Sequence, residues 1–235
     1  MTLSQPNPER SSRSLWARGG KRIFDVVASV VLLSVLSPLL AITALLVKLT
    51  SHGPVFFRQE RAGKNGRLYR LAKFRTMRGD RRPDPKEIVP LTHPEITPLG
   101  RVLRRLKIDE WPQLIHVLGG EMSLVGPRPT LPDQVAAYDA FRRQRLLVRP
   151  GITGLAQVYG SSLMPWDERI LYDIAYVRGC DLRLDLHILA RTIWVMLIGE
   201  QRATRRFLST PFADQASIPA DIRASLELAT SDSLR

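Results

Sequence analysis

The longest apolar run of the chain lies near its start, where residues 26–47 carry no charged side chain. As an α-helix, these 22 residues measure about 33 Å, slightly more than the roughly 30 Å hydrocarbon core of a bilayer. A buried helix of a soluble protein would show a polar stripe, and this run has only scattered Ser and Thr. It is too long for the apolar part of a signal peptide, and no small-residue cleavage site follows. The pattern predicts a helix inserted in a membrane.

Two features of this segment bear on its topology. Basic residues flank it on both sides, so the positive-inside bias marks both ends as cytoplasmic. Pro38 cannot donate a hydrogen bond to the carbonyl of Ser34, and we expect the hydroxyls of Ser34 and Ser37 to satisfy the freed backbone groups. The halves 26–37 and 38–47 would each reach only about 15–18 Å. We predict a re-entrant helix that breaks at Ser37 and Pro38 and returns to the same face; a kinked spanning helix is the alternative. The flanking basic residues are Arg10, Arg13, Arg18, Lys21 and Arg22 before the segment, and Lys48, Arg58, Arg61 and Lys64 after it.

Shorter patterns predict the elements that follow. Strand-like runs at 54–59 and 67–75 bracket the turn Lys64-Asn65-Gly66, which is typical of a β-hairpin. Apolar residues recur at helical spacing over 99–106, with arginines off the apolar stripe. Further helices are predicted at 112–118, 132–147 and 166–177.

The end of the chain carries a second apolar run, 186–198, which Arg191 interrupts. It is too short and too charged for another span, and it suits either the membrane interface or packing on the core. We therefore expect a disordered segment at 1–18, a membrane-associated domain at 19–204 and a C-terminal tail at 205–235.

Composition narrows the class of protein. The chain has 235 residues, a formal net charge of +13 and 44% hydrophobic residues, which excludes a wholly disordered chain and indicates an anionic partner. Residues 48–82 hold eleven basic and two acidic side chains directly after the apolar segment. An anionic leaflet accounts for this clustering, so no nucleic acid is expected. One cysteine, Cys180, excludes an internal disulfide framework and a cysteine-based zinc site.

Three short motifs are candidates for chemistry. Asp109 and Glu110 precede Pro112, where they would either act on a substrate and a cation or cap a helix. The sequence Gly126-Pro127-Arg128-Pro129 fixes one guanidinium in a rigid loop, and arginine recognises phosphate with two parallel hydrogen bonds. Arg149 precedes a similar proline-glycine turn. The four histidines show no metal-ligand spacing, and the phosphate-binding glycine motifs of nucleotide folds are missing from the sequence.

Seven motifs in fixed order resemble the bacterial sugar transferase family, the monotopic phosphoglycosyl transferases. They are KRIFDVV, the Ser37-Pro38 break, GPVFFRQERAGKNGRLYRLAKFRTM, ITPLGRVLRRLKIDEWPQL, EMSLVGPRP, RPGITGLAQV and YDIAYV. The resemblance covers about residues 21–199, and the chain looks like the minimal catalytic form, without the multi-span N-terminal half of larger members.

The resemblance implies transfer of a sugar-1-phosphate from a UDP-sugar to polyprenyl phosphate, with release of UMP. By this analogy Asp109 is the nucleophile that forms a phosphosugar-enzyme intermediate, Glu110 holds Mg²⁺, and known members use a re-entrant helix. The family commonly has an arginine where this chain has Ser161, which Arg149 would have to replace. The other implied substrate-binding residues are Lys73, Arg75, Arg104, Arg128, Arg149 and Asp173.

These observations predict an α+β, mostly helical, membrane-associated monotopic domain with a re-entrant helix-break-helix, a small β-hairpin and interfacial amphipathic helices. We expect it at the cytoplasmic face of the bacterial inner membrane, with UDP-sugar, polyprenyl phosphate and membrane lipid as partners; whether it forms a homodimer stays open. The rival hypothesis is a non-catalytic, membrane-anchored scaffold that binds anionic lipid or nucleic acid through the basic cluster at 48–82. It predicts salt-sensitive binding without turnover.

Overall fold

The computed structural model describes residues 16–78, 89–160, 164–213, 218–219 and 222. This part of the chain is mostly helical with two small sheets, as expected for an α+β domain. The helices are α1 (Lys21–Thr50), α2 (Pro98–Arg105), α3 (Leu114–Gly119), α4 (Pro132–Ala136), α5 (Ala140–Arg143), α6 (Leu155–Tyr159), α7 (Trp166–Gly179), α8 (Leu182–Ile198) and α9 (Glu200–Ala203). The strands are β1 (Phe56–Ala62), β2 (Leu68–Phe74), β3 (Ser123–Val125) and β4 (Gly151–Thr153).

Helix α1 contains the predicted membrane segment and extends it at both ends. By length and composition it is the one helix in the described ranges that is able to cross a membrane. The sequence predicts a break at Ser37 and Pro38, but the helix is continuous through both residues. The hydroxyl of Ser37 donates to the carbonyl of Ser34 at 2.9 Å, the acceptor that Pro38 cannot serve. This predicted hydrogen bond is confirmed, and it explains how the helix continues past the proline.

Both ends of α1 pack against the same globular body. Near the N-terminal end, the fully buried carboxylate of Asp25 accepts hydrogen bonds from Ser123 Oγ and Leu124 N, each at 3.1 Å. Near the C-terminal end, Val47 is buried in a cluster with two residues of the hairpin and of α2. Between the ends, the helix exposes apolar side chains, among them Val35 at 70%. Exposed apolar side chains therefore extend along α1 from Ile23 to Leu49, while both ends are also attached to the globular body.

The sequence predicts one of the two sheets and not the other. Strands β1 and β2 form the predicted antiparallel hairpin, with Phe57 opposite Lys73 and with Asn65 at a φ of 56° in the turn. Strands β3 and β4 pair in parallel, which the sequence does not predict. Each has three residues, too few to show a periodic pattern, and their pairing joins distant parts of the chain.

Helix α7 forms the centre of the core. Leu171, Tyr172 and Ile174 are fully buried on it, which confirms the helix predicted over 166–177. The run predicted at 132–147 is instead divided into α4, α5 and a 3₁₀ turn, because Asp139 caps α5 by accepting a hydrogen bond from Arg142 N.

The predicted ends of the chain differ from those observed. The C-terminal tail is predicted from 205, yet Phe207 and Phe212 are buried in the core. The Phe207 ring meets the Tyr172 ring edge-on, with 4.8 Å between centroids. Of the predicted disordered segment 1–18, residues 1–15 lie outside the described part, and Trp16 donates its indole N–H to Asp185 at 3.0 Å.

Helix α8 resolves part of the ambiguity of the run 186–198. Its inner face buries Ile188 and Val195, while Ile193 and Leu197 on its outer face are 63% and 80% exposed. Arg191, the charged residue within this apolar run, stacks on Tyr159, with 3.9 Å between its Cζ and the ring centroid, so its charge lies against the protein. Packing on the core and an apolar outer face therefore coexist on one helix.

Candidate active site

A left-handed turn presents the acidic pair. Helix α2 ends at Arg105, and Lys107 then adopts a φ of 57°, an uncommon conformation for a residue other than glycine. The turn redirects the chain into the 3₁₀ helix Ile108–Gln113, whose first turn contains Asp109 and Glu110. The N-cap position of this helix is Lys107, and the helix has no side-chain capping bond. The geometry thus gives no support to the alternative that these carboxylates cap a helix.

Cations from two other elements approach Asp109, which is only 5% exposed. Lys73 lies on β2, which packs against the 3₁₀ helix, and Arg104 lies on the last turn of α2. The guanidinium of Arg104 is oriented by a hydrogen bond from its Nε to Thr76 Oγ1 at 2.9 Å. Burial lowers the pKa of Lys73, and the charges of Glu110 and Asp109 partly oppose that shift.

The two neighbouring carboxylates have pKa values displaced in opposite directions. Burial, helped by the charge of Glu110, raises the pKa of Asp109 to about 6 against the pull of Lys73 and Arg104. Burial would also raise the pKa of Glu110, but the charge of Arg128 and its hydrogen bond outweigh burial and lower that pKa to about 2. Glu110 therefore stays ionised at any physiological pH, while Asp109 is the more basic oxygen donor. Such a divergence assigns different chemistry to two carboxylates.

Arg128 reaches Glu110 from a loop that is held by its carbonyl groups. Its Nη2 donates to Glu110 Oε1 at 2.7 Å. The prolines at 127 and 129 lack N–H groups, and each carbonyl from 127 to 130 accepts a hydrogen bond from outside the loop. The donors to the carbonyls of 127, 128, 129 and 130 are, in that order, Gly151 N at 2.9 Å, Arg145 Nη2 at 3.0 Å, Arg61 Nη1 at 3.2 Å and Ala62 N at 2.9 Å. The loop is also close-packed, since a Cβ on Gly126 would lie 2.4 Å from the carbonyl oxygen of Arg149.

A cavity opens beside the side chains of Arg128 and Glu110. Three cationic side chains and one carboxylate line it, an excess of positive charge that suits a phosphate group. The lining residues are Arg61, Leu71, Lys73, Glu110, Gln113, Arg128, Pro129, Gly151 and Ile152.

The structure brings Lys73, Arg104 and Arg128 to the acidic pair and gives the other three predicted residues different partners. Arg75 is buried, and its Nη2 donates to the carbonyl and hydroxyl oxygens of Ser51, both at 2.7 Å, just beyond the end of α1. Arg149 Nε donates to the Gly120 carbonyl at 2.9 Å. Asp173 is 1% exposed and pairs with Arg145. A contact with substrate therefore stays a prediction for these three. Ser161, the noted departure, lies outside the described residues.

Sequence reasoning missed two arginines of the site. In the sequence Arg61 is one member of the basic cluster, and only its place in the hairpin, opposite Tyr69, brings it to the cavity. Nothing in the local sequence of Arg145 distinguishes a buried arginine from an exposed one.

The residues of this site suit a divalent cation that needs few protein ligands, namely Mg²⁺. The described ranges contain no group of three or more His, Cys, Asp and Glu side chains, so they offer no all-protein cage. Mg²⁺ usually needs only one or two carboxylates, because water and substrate phosphates complete its octahedron. Glu110, ionised and 14% exposed, matches that requirement.

Comparison with known proteins agrees with the geometry. The model of the family described as bacterial sugar transferase matches residues 16–199. The sugar transferase EpsL of Bacillus subtilis, whose name calls it uncharacterized, is 41% identical over 180 residues, covering 77% of this chain and 88% of that protein. The undecaprenyl-phosphate glucose phosphotransferase of Komagataeibacter xylinus is 44% identical over 197 residues, and the match covers 79% of this chain and 37% of that protein. The undecaprenyl-phosphate galactose phosphotransferase of Salmonella typhimurium is 37% identical over 205 residues, and the match covers 80% of this chain and 42% of that protein. The chain belongs to the bacterial sugar transferase family.

Proposed function

We propose that the protein transfers a sugar-1-phosphate from a UDP-sugar to a polyprenyl phosphate, forming a polyprenyl diphosphate sugar and UMP. The names of its relatives support the lipid acceptor and the phosphosugar group. One observation carries the mechanism: two adjacent carboxylates, with pKa values displaced in opposite directions, lie among three cations. Glu110, Lys73 and Arg128 of this group line a cavity. The reaction would be a first membrane step of exopolysaccharide or related glycoconjugate synthesis.

In the first step, a carboxylate oxygen of Asp109 attacks the sugar-linked phosphorus of the UDP-sugar. A bond forms between that oxygen and phosphorus, the bond from phosphorus to the bridging oxygen breaks, and its electron pair leaves with UMP. The enzyme then carries the sugar phosphate as an acyl phosphate. The raised pKa of Asp109 suits this role, because a more basic carboxylate is a better nucleophile and is still ionised near neutral pH.

In the second step, a phosphate oxygen of the polyprenyl phosphate attacks the same phosphorus. The bond to Asp109 breaks, and the carboxylate is regenerated. The attacking group is already an anion, so no strong general base is needed, in keeping with the lack of a histidine among the residues lining the cavity.

Electrostatics sets the main barrier to this chemistry. A carboxylate and a phosphate anion 4 Å apart repel by about 4 kcal/mol at an effective dielectric constant of 20. Lys73, Arg104 and Arg128 supply fixed positive charge that opposes this repulsion. Glu110 would hold Mg²⁺, which when bound neutralises charge on the phosphates. Arg128 both orients Glu110 and faces the cavity.

For the membrane, we propose that α1 is re-entrant, bending at Pro38 within one continuous helix, and that the catalytic domain lies at the cytoplasmic face of the inner membrane. The attachment of both ends of α1 to one globular body supports this topology, because a spanning helix would leave its ends on opposite faces of the bilayer. The exposed apolar residues of α8 would lie in the interface. The acceptor's phosphate lies at that depth.

The test is release of UMP from a panel of UDP-sugars with polyprenyl phosphate. Asp109→Asn should abolish release, whereas the exposed Asp133→Asn should not alter it. Protein quenched during turnover should carry a mass adduct of one sugar phosphate, absent from the Asp109→Asn variant. Product formation without an adduct would contradict the two-step mechanism. Salt-sensitive lipid binding without any UMP release would favour the scaffold hypothesis instead.

A further inference from the structure

A buried ion pair lies beneath the loop that carries Arg128. Arg145 is 3% exposed and Asp173 is 1% exposed. Arg145 Nη2 contacts Asp173 Oδ2, and the same nitrogen donates to the carbonyl oxygen of Arg128 at 3.0 Å. Arg145 Nη1 donates to the Tyr138 hydroxyl at 2.6 Å, and the guanidinium also lies over the Trp166 ring. With the whole of Asp173 enclosed, a substrate has no direct access to its carboxylate.

The pair is connected to the acidic site through the main chain. Arg145 holds the carbonyl of Arg128, and the side chain of Arg128 in turn contacts Glu110 at 2.7 Å. Because prolines flank Arg128 on both sides, the loop has few N–H groups of its own with which to fix this peptide. Other donors hold the neighbouring carbonyls of the loop, and Arg145 holds the carbonyl of Arg128 itself.

Stability alone does not account for this arrangement. A buried ion pair contributes little to stability, because the loss of hydration offsets most of the attraction. Asp173 also leaves its Oδ1 without a hydrogen-bond partner among the described residues, which adds a cost. A fold would gain as much from apolar side chains of similar volume. What such side chains would lack is a donor for the Arg128 carbonyl.

We infer that Asp173 and Arg145 are positioning residues: Asp173 holds Arg145, and Arg145 fixes the main chain of Arg128 so that its guanidinium faces Glu110 and the substrate phosphates. The inference rests on the proposed function, which assigns Arg128 to those phosphates. It replaces the direct substrate contact that sequence resemblance implies for Asp173. Neither residue needs to touch the substrate for its loss to slow the reaction.

A double-mutant cycle tests this indirect action. The variants are Asp173→Asn, Arg128→Ala and their combination, measured by kcat/KM for UMP release and by the melting temperature. Asp173→Asn should lower kcat/KM by about tenfold in the wild-type background, within the range of coupled pairs. In the Arg128→Ala background the same change should cost less than about twofold, the error expected for additivity. A loss of equal size in both backgrounds would show that Asp173 acts independently of Arg128, and would overturn the inference.

A paired replacement covers the case in which Asp173→Asn does not fold. Arg145→Met with Asp173→Leu removes both buried charges together and keeps an apolar filling, so the variant should fold, with a melting temperature lowered by the hydrogen bonds that the Tyr138 hydroxyl and the Arg128 carbonyl lose. The inference requires kcat/KM to fall in this folded variant. A folded paired variant with wild-type kcat/KM would disprove it.

Glu168 offers a matched control on the same helix, α7. It is 2% exposed and accepts hydrogen bonds from Arg206 Nη1 at 3.0 Å and Phe207 N at 2.7 Å, two donors from a different segment than the loop of Arg128. Glu168→Gln should leave kcat/KM within about twofold of wild type. A loss as large as that of Asp173→Asn would mean that any damage to α7 slows the enzyme, against the inference. If wild-type protein releases no UMP from any UDP-sugar, the proposed function itself fails, which is a separate result.

Discussion

Replacing Arg128 separates two ways in which it could support Glu110. Arg128 lowers the pKa of Glu110 to about 2 through its charge and a 2.7 Å hydrogen bond. Burial raises the pKa of Glu110, so loss of Arg128 should move that pKa upward, with only Lys107 and Lys73 left to oppose burial. The effect of Arg128→Ala on catalysis therefore has two separable parts: lost orientation and positive charge, which persist at every pH, and protonation of Glu110, which a rise in pH reverses.

The structure also bounds the size of this effect. A hydrogen bond to a charged group contributes about 1.5–3 kcal/mol, which corresponds to a fall of about 10- to 150-fold in kcat/KM for Arg128→Ala. Arg128→Lys keeps the positive charge but not the planar guanidinium, so its kcat/KM should lie between that of Arg128→Ala and that of the wild type. The assay is initial-rate UMP release from pH 6 to 8. The reasoning is refuted if Arg128→Lys matches wild type, or if Arg128→Ala recovers wild-type rates as the pH is raised across this range.

Four further predictions follow from features of the site and of α1. The rate of UMP release should fall as the pH falls through about 6, because Asp109 must be ionised to attack. A bound cation would lower the pKa of Asp109 and move this fall to a lower pH. A pH–rate profile in which the rate already falls on acidification above pH 7 would contradict this prediction. A chelator should abolish UMP release and Mg²⁺ should restore it, whereas full activity of the chelated protein would exclude Glu110 as a metal ligand. Ser37→Ala should lower stability by about 0.5–1.5 kcal/mol in detergent melts, since the Ser34 carbonyl loses its donor, with Ser34→Ala as the control that keeps that bond. Single cysteines at Gly20 and Thr50, in a background without the native cysteine, should both react with an impermeant maleimide from the cytoplasmic side; labelling from opposite sides would establish a spanning helix.

Local patterns predicted those parts of the protein that local chemistry determines. The Asn-Gly turn marks the hairpin, since Asn65 tolerates a positive φ. The hydroxyl of Ser37 lies one residue before Pro38, close enough to replace the missing backbone donor, so the sequence alone indicates that contact. Asp109 and Glu110 stand out as adjacent carboxylates before Pro112, but this local pattern leaves capping and catalysis open, and only the resemblance to the family assigns their roles.

Contacts between distant residues were outside the reach of such patterns. Whether Arg75 faces a phosphate or the end of α1 depends on where α1 docks, which its neighbours in sequence do not specify. The pairing of Arg145 with Asp173 spans 28 positions and two helical elements. Phe207 and Leu208 lie in a largely polar stretch of sequence, and only the contact of the Phe207 ring with the Tyr172 ring shows that this stretch joins the core. In each case tertiary packing decides between alternatives that local propensity leaves equal.

The way α1 is attached has a practical consequence for work with this protein. A chain that began after residue 51 would lose Val47, uncovering Phe74 and Leu103, and would leave the buried Arg75 guanidinium without its acceptors in that turn. Cutting at this point would remove part of the hydrophobic interior together with the lipid-facing portion. The anchor is thus a component of the folded domain and not a detachable tether. Solubilisation has to proceed by shielding the helix with detergent or nanodiscs, since deleting it would be expected to yield aggregated polypeptide.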